Sequence, residues 1–156
     1  LNSNGVPSPP ITSALQYLGP TASTNRVINL AGTTGGATIT QGGTASGIPT
    51  TRGESGLLKF TGNISAPGTV GADNRKTLTL NHAASFDSGF VMGRGELSGS
   101  ISDSVLGTAG QLSTSVTKAG TGLAVLSGTD TYTGVTTINA GTLQFGCRRM
   151  RPSPIV

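Results

Sequence analysis

The sequence predicts an all-β chain of the β-solenoid kind, with little or no helix. Three observations carry that prediction. Glycine supplies 25 of the 156 residues, and with 24 threonines and 17 serines it accounts for 66 of them. Apolar residues come in runs of three to six with period-two alternation, bounded by glycine or asparagine, which is the pattern of short half-buried strands. No window carries apolar residues at i, i+3, i+4 and i+7, the stripe an amphipathic helix needs. Sandwich and barrel strands are commonly longer and richer in aromatics, whereas aromatics here are 4%. A stack of coils needs small residues at its corners and one or two aliphatics inside each turn, which is what this texture supplies.

Taken in order, residues 1–25 read as an irregular lead-in. They hold Pro7, Pro9, Pro10 and Pro20, and proline cannot donate to a strand ladder. One apolar patch, Ile11 to Leu18, is a short strand or a cap. Residues 26–115 read as degenerate solenoid coils. Val27–Leu30 and Ala37–Thr40 are strands separated by turn material at Gly32–Gly36. Gly42–Gly43 closes the second, and a looped stretch runs through Pro49–Gly56. Leu57–Thr61 and Asn63–Ser65 follow, ending at Pro67–Gly68. Lys76–Leu80 alternates cleanly, with Leu78 and Leu80 on one face and Thr77 and Thr79 on the other. A weaker strand lies near Phe90–Met92, and Glu96–Ser102 continues the pattern. Leu112–Val116, Leu123–Leu126, Val135–Ile138 and Thr142–Phe145 complete the series.

The charge balance argues against a nucleic-acid partner. The net charge is +4, but Arg148, Arg149 and Arg151 crowd into the last ten residues. Without them seven basic residues face six acidic ones, and phosphate binding needs clustered Lys/Arg. The single cysteine, Cys147, excludes an internal disulfide. No stretch has the apolar length to span a bilayer. The chain begins at Leu1 and reads as a segment of a longer product.

At residues 116–146 the texture becomes a pattern. Lys118-Ala-Gly120-Thr-Gly122-Leu-Ala-Val-Leu126-Ser-Gly128 leads into Tyr132-Thr-Gly134 and Ile138-Asn139-Ala-Gly141-Thr-Leu143. This resembles the autotransporter passenger-associated repeat, also called the autotransporter-associated β-strand repeat. Two positions depart from it: Asp130 stands where the family has asparagine, and Ala124 where it has a bulkier residue. The resemblance implies a right-handed parallel β-helix fragment in an exported bacterial passenger, at the cell surface or extracellular by way of the periplasm. It implies adjoining solenoid coils and an outer-membrane barrel as partners in the full-length protein, with no cofactor. The function it implies is a non-enzymatic structural stalk, with adhesion to a glycan or surface ligand as a further role. The alternative is a fragment of a β-helical polysaccharide-active enzyme, a lyase or hydrolase. Residues 147–156 abandon the pattern and read as a disordered basic tail from a truncated, frameshifted or mis-predicted reading frame.

The repeat's candidate structural residues are Lys118, Gly120, Gly122, Leu126, Gly128, Tyr132, Gly134, Ile138, Asn139, Gly141 and Leu143. Leu126, Ile138 and Leu143 are expected to point inward and stack on neighbouring coils. The five glycines are expected at corners, some with positive φ, and Asn139 is expected to bond its own corner backbone. Tyr132 reads as a corner or stacking residue. No catalytic or metal site is assigned. His82 lacks partners in the sequence and reads as a surface or turn histidine. Asp73, Asp87, Glu96 and Asp103 would have to converge to make an acid site, and turn solvation is the default for such aspartates. Gly35–Gly36 and Gly42–Gly43 lack the lysine and helix of a phosphate loop.

Overall fold

A computed structural model describes residues 12–17, 22–31, 35–41, 58–70, 73–82, 85–87, 90–92, 94–106, 109–110 and 112–146. The described residues contain strands and no helix. Fourteen strands run in chain order: β1 Thr12–Tyr17, β2 Ala22–Thr24, β3 Ile28–Asn29, β4 Gly35–Gln41, β5 Leu58–Phe60, β6 Ile64–Ser65, β7 Lys76–His82, β8 Ser85–Asp87, β9 Phe90–Met92, β10 Arg94–Leu97, β11 Thr114–Ala119, β12 Leu123–Leu126, β13 Thr136–Ile138 and β14 Thr142–Phe145.

The strands stack as a parallel β-helix. One five-stranded sheet, here sheet A, has the order β1-β4-β7-β11-β13. A second, sheet B, has the order β14-β12-β10-β5-β2. Every pairing in both is parallel. The third face is narrow: β3 pairs with β6, and Ile64 bridges to Ile101. Each turn of chain therefore visits sheet A, sheet B and the third face, then climbs one rung. The antiparallel hairpin β8–β9 is inserted at a corner between sheets A and B.

Period-two alternation sorts each strand into an inner and an outer face. In β7 the odd members Lys76, Leu78, Leu80 and His82 are buried and the intervening residues half-buried. The register lines these up through the stack. In sheet A the inner columns are Ala37–Leu78–Val116–Thr136 and Leu15–Ile39–Leu80–Lys118–Ile138. In sheet B one inner column runs Thr24–Phe60–Leu97–Leu126–Phe145. Ile64 and Ile101, both under 2% exposed, close the core from the third face. The outer face of sheet A carries Thr38–Thr79–Thr117–Thr137 in register, so the threonine content sits where a polar β-branched side chain suits an open sheet.

Several sequence expectations change. The lead-in expected over residues 1–25 contains β1 and β2, which form the first rung; its prolines fall outside both strands. Gly35 and Gly36, read as turn, belong to β4, where a side chain at Gly36 would come 2.2 Å from the Thr77 carbonyl oxygen of the next rung. β7 runs on to His82, and β11 covers Thr114–Ala119 where Leu112–Val116 was expected. The basic tail 147–156 and the loop 49–56 lie outside the described residues.

Candidate functional site

The segment from Val116 to Phe145 makes the most compact turn of the stack. Val116 pairs with Thr136, so one climb takes 20 residues. The two climbs before it, Ala37 to Leu78 and Leu78 to Val116, take 41 and 38. With nothing inserted, the corners from sheet A to sheet B, residues 120–122 and 139–141, close with three residues each, and the side chains that allow it are specific.

Lys118 is the centre of the first corner. It occupies an inner position of β11 and is fully buried. Its Nζ donates to the carbonyl oxygens of Ala119 at 2.6 Å, Gly120 at 2.7 Å and Ala140 at 3.3 Å. An ammonium has three hydrogens and no acceptor capacity, so three carbonyls satisfy it. Burial lowers its pKa from the ordinary lysine value. The ammonium ties the corner of its own coil to the equivalent corner of the next. Both corners contain a left-handed glycine, Gly120 at φ 71° and Gly141 at φ 70°. A side chain at Gly141 would come 2.4 Å from the Gly122 carbonyl oxygen and 2.9 Å from Lys118 Nζ.

The other glycines serve close approach between backbones. A Cβ on Gly128 would sit 2.2 Å from the Gly99 carbonyl oxygen, and one on Gly99 would sit 2.1 Å from that of Gly62. Gly62, Gly99 and Gly128 thus form a ladder at the corner after sheet B. Gly134 meets the Thr114 carbonyl oxygen in the same way, at 2.3 Å. Gly122 is buried, and its amide donates to the His82 carbonyl at 2.6 Å.

Two carboxylates join this turn to the rung beneath. Asp103 Oδ1 accepts from the Thr114 amide at 2.7 Å, and Asp103 Oδ2 from the Thr133 hydroxyl at 2.6 Å; the Thr133 amide also reaches the carboxylate at 3.1 Å. Asp130 Oδ1 accepts from the Ile101 amide at 2.9 Å. Burial raises the Asp130 pKa, and the Ile101 bond acts in the opposite sense. Between them Tyr132 packs half-buried against the core, with its hydroxyl 2.9 Å from Thr136 Oγ1.

Residues 116–145 match the family model of the passenger-associated-transport-repeat. These 30 residues are similar to such a repeat. Comparison with curated proteins and with solved structures gives no match to the chain. The repeat points to an autotransporter passenger domain.

Within the repeat, Leu126 is 2% exposed and stacks on Leu97. Leu143 is half-buried above Ala124. The inward burial expected of Ile138 is corrected: it shares the column of Lys118, but it stands on the outermost rung of sheet A and is 55% exposed. The corner bond expected of the Asn139 side chain is supplied instead by its amide, which donates to the Lys118 carbonyl at 2.9 Å. Ala124 is fully buried between Gly95 and Leu143.

The rung below the repeat holds what the sequence hid. His82 is 1% exposed at the end of β7, so the surface or turn reading is corrected; alternation from Lys76 onward carries it inside. Its ring fills the space a side chain at Gly95 would need, with Nε2 2.5 Å from that Cβ position. Among the described residues neither ring nitrogen makes a hydrogen bond of normal geometry. Burial, then the Lys118 charge, lowers its pKa to about 4. Below it in register lies Gln41, which brackets the Leu58 backbone by accepting from its amide at 3.2 Å and donating to its carbonyl at 3.3 Å.

The acids are engaged separately. Asp73 is ion-paired with Arg75 at 2.6 Å, which holds its carboxyl at about 2. Glu96 receives Lys59 and Ser127, each at 2.8 Å, on the outside of sheet B. Asp103 staples the repeat. The Asp87 side chain lies outside the described residues. Among the described residues no three His, Cys, Asp or Glu side chains gather as metal ligands would.

Proposed function

We propose that this chain is a structural stalk segment of an exported, autotransporter-type passenger, displayed at or released from a bacterial cell surface. The observation that carries the reading is the uninserted repeat coil, locked to its neighbours by Lys118 and Asp103. A coil that closes its own corners and then docks on the rung beneath can be added one turn at a time. For a chain threading outward, each docked coil opposes backsliding, because reversal must break that rung's hydrogen bonds and re-expose its aliphatics, at about 1.5–3 kcal/mol per buried side chain. The partners of this role are further coils and a C-terminal outer-membrane barrel in the full-length protein. Adhesion would fall to the outward threonine face of sheet A.

The test places residues 1–156 between an export signal and an outer-membrane barrel and probes whole cells with antibody and added protease. Surface labelling together with a protease-resistant core is the expected result. Retention in the periplasm while a control passenger is displayed would overturn the stalk reading. Turnover of uronate polymers by the purified chain would replace it with the enzymatic alternative, and binding on a glycan array would add the adhesive role.

A further inference from the structure

The outer face of sheet A is a lattice of free hydroxyls. Thr38, Thr79, Thr117 and Thr137 stand in one column on successive strands, with no break in register. The flanking columns add Thr40, Thr77 and Ser115, each two residues along its strand from a member of the first. Neighbours are therefore about 4.7–4.9 Å apart up the stack and about 6.6 Å apart along a strand. Hydroxyls at the corners are spent inside the coil: Thr61 donates to the Thr24 carbonyl, Thr114 to that of Ser102 and Thr133 to Asp103. Among the described residues, none of the sheet A hydroxyls just named has a hydrogen-bond partner. The face also carries no charge. The charged residues of its strands, Lys76 and Lys118, stand at inner positions and are buried. Sheet B is the contrast: its outer column holds Lys59 paired with Glu96, and Ser127 donates to the same carboxylate.

From this geometry we infer that the outer face of sheet A binds ice. Oxygen atoms on a prism face of ice repeat in two directions at intervals close to these. Hydroxyls on adjoining rungs can therefore take the places of lattice waters. Each threonine also sets a methyl beside its hydroxyl, so the face offers apolar surface along with hydrogen bonds. The branched Cβ leaves threonine few rotamers, and the array loses little freedom when it docks. Charge would oppose docking, because an ammonium holds its own hydration shell against the lattice, and here the ammonium groups are inside. A polysaccharide fits less well: these columns offer no aromatic ring on which a sugar could stack. The inference gives a ligand to the adhesive role proposed for sheet A and rests on that placement. A chain excluded from ice leaves the export and stalk reading intact, and a chain that fails to be exported leaves this one intact.

Slow freezing of a dilute solution of the full chain onto a cold finger tests it, with serum albumin in the same vessel as a non-binding control. The chain should be enriched in the ice and the albumin left in the liquid. T79Y/T117Y keeps β propensity but lifts two rings above the plane. Its ice fraction should fall about tenfold or more, to the level of the control. Q144Y, at an exposed outward position of sheet B, should enter ice as wild type does. An unchanged circular dichroism spectrum verifies the fold of each variant. T137Y, exposed on the outermost rung, carries the test if the double variant does not fold, and should also be depleted from the ice. Three results would each overturn the inference: wild type excluded as albumin is, folded sheet A variants that enter ice undiminished, or equal loss in folded Q144Y. Exclusion from ice together with sedimentation on crystalline cellulose would assign the face to a polysaccharide instead.

Discussion

Lys118 and Ala140 belong to successive corners of the β-helix, yet the ammonium of the first donates to the carbonyl of the second at 3.3 Å while holding Ala119 and Gly120 in its own turn. One buried cation thus closes one corner and registers the next. Replacing Lys118 by methionine keeps the stem and removes the donors, leaving buried carbonyls unpaired. Urea denaturation should show a loss of about 2–5 kcal/mol, in the range for removing one partner of a buried charged contact. A loss below about 0.5 kcal/mol would mean that the ammonium is dispensable.

Two glycines with nearly equal φ separate backbone strain from crowding. Gly110 has φ 79° with nothing near a built Cβ, whereas Gly141 has φ 70° and the Gly122 carbonyl 2.4 Å away. Gly110→Ala should cost about 1 kcal/mol from conformation alone. Gly141→Ala adds displacement of the backbone and should cost about 2–4 kcal/mol. Thermal unfolding of the two variants side by side measures the difference. Equal costs would show that the corner packing around Gly141 contributes nothing.

Buried His82 sets an acid dependence. Its folded pKa is about 4, below the ordinary 6.5. Above pH 6.5 both states are neutral. As pH falls from about 6.5 to about 4, the unfolded chain takes up a proton that the folded chain refuses, so stability declines and then levels off. The fall should approach about 3 kcal/mol, and His82→Gln should flatten it. Asp73, held at about 2, acts in a lower window: its contribution is present above pH 3.8 and fades as pH drops toward 2. Denaturation midpoints between pH 7 and pH 4 check the first window, and an unchanged slope in His82→Gln would refute the assignment.

Asp130 runs the other way. Its folded pKa is raised by burial, so the unfolded state ionises first as pH rises and the ionised carboxylate weakens the fold at neutral pH. Asparagine keeps an acceptor for the Ile101 amide without the charge. Asp130→Asn should therefore stabilise the fold at pH 7, by an amount typical of stabilising substitutions, about 0.5–2 kcal/mol by urea denaturation, and the gain should vanish under acid conditions where Asp130 is already protonated. A variant less stable than wild type at pH 7 would show that the carboxylate is needed in ionised form.

The sequence made the repeat legible because residues 116–145 complete a turn without insertion, so every corner residue stands at its family spacing. The lower rungs carry the same corner in Phe60-Thr-Gly-Asn-Ile64 and Leu97-Ser-Gly-Ser-Ile101, but their glycines are 37 residues apart, and Gly99 lies 29 before Gly128. Insertions between sheets A and B, and between the third face and sheet A, vary the period and mask the likeness. Alternation in Lys76–Leu80 revealed which face is buried. It could not show that the strand runs on to His82, or that β11 starts at Thr114, because a polar residue at an inner position looks like the end of a strand. Lys118, Gln41 and His82 lie inside only because neighbouring corners supply carbonyls or room, and those corners come from other rungs. Ile138 shows the converse: its pattern is that of a core residue, and only its place on the outermost rung leaves it exposed.

Disulfide trapping tests the stacked register most directly. In a background with Cys147 replaced by serine, Thr117 is paired by cysteine substitution with Thr79, with Thr137 and with Thr38. Thr117 partners Thr79 and Thr137 on adjacent strands, about 4.7–4.9 Å away, while Thr38 lies a further strand beyond Thr79. The first two pairs should oxidise to an intramolecular bridge and the third should not. Bridging of Thr117→Cys with Thr38→Cys, or failure of both adjacent pairs in folded protein, would contradict the β-helix register on which the account rests.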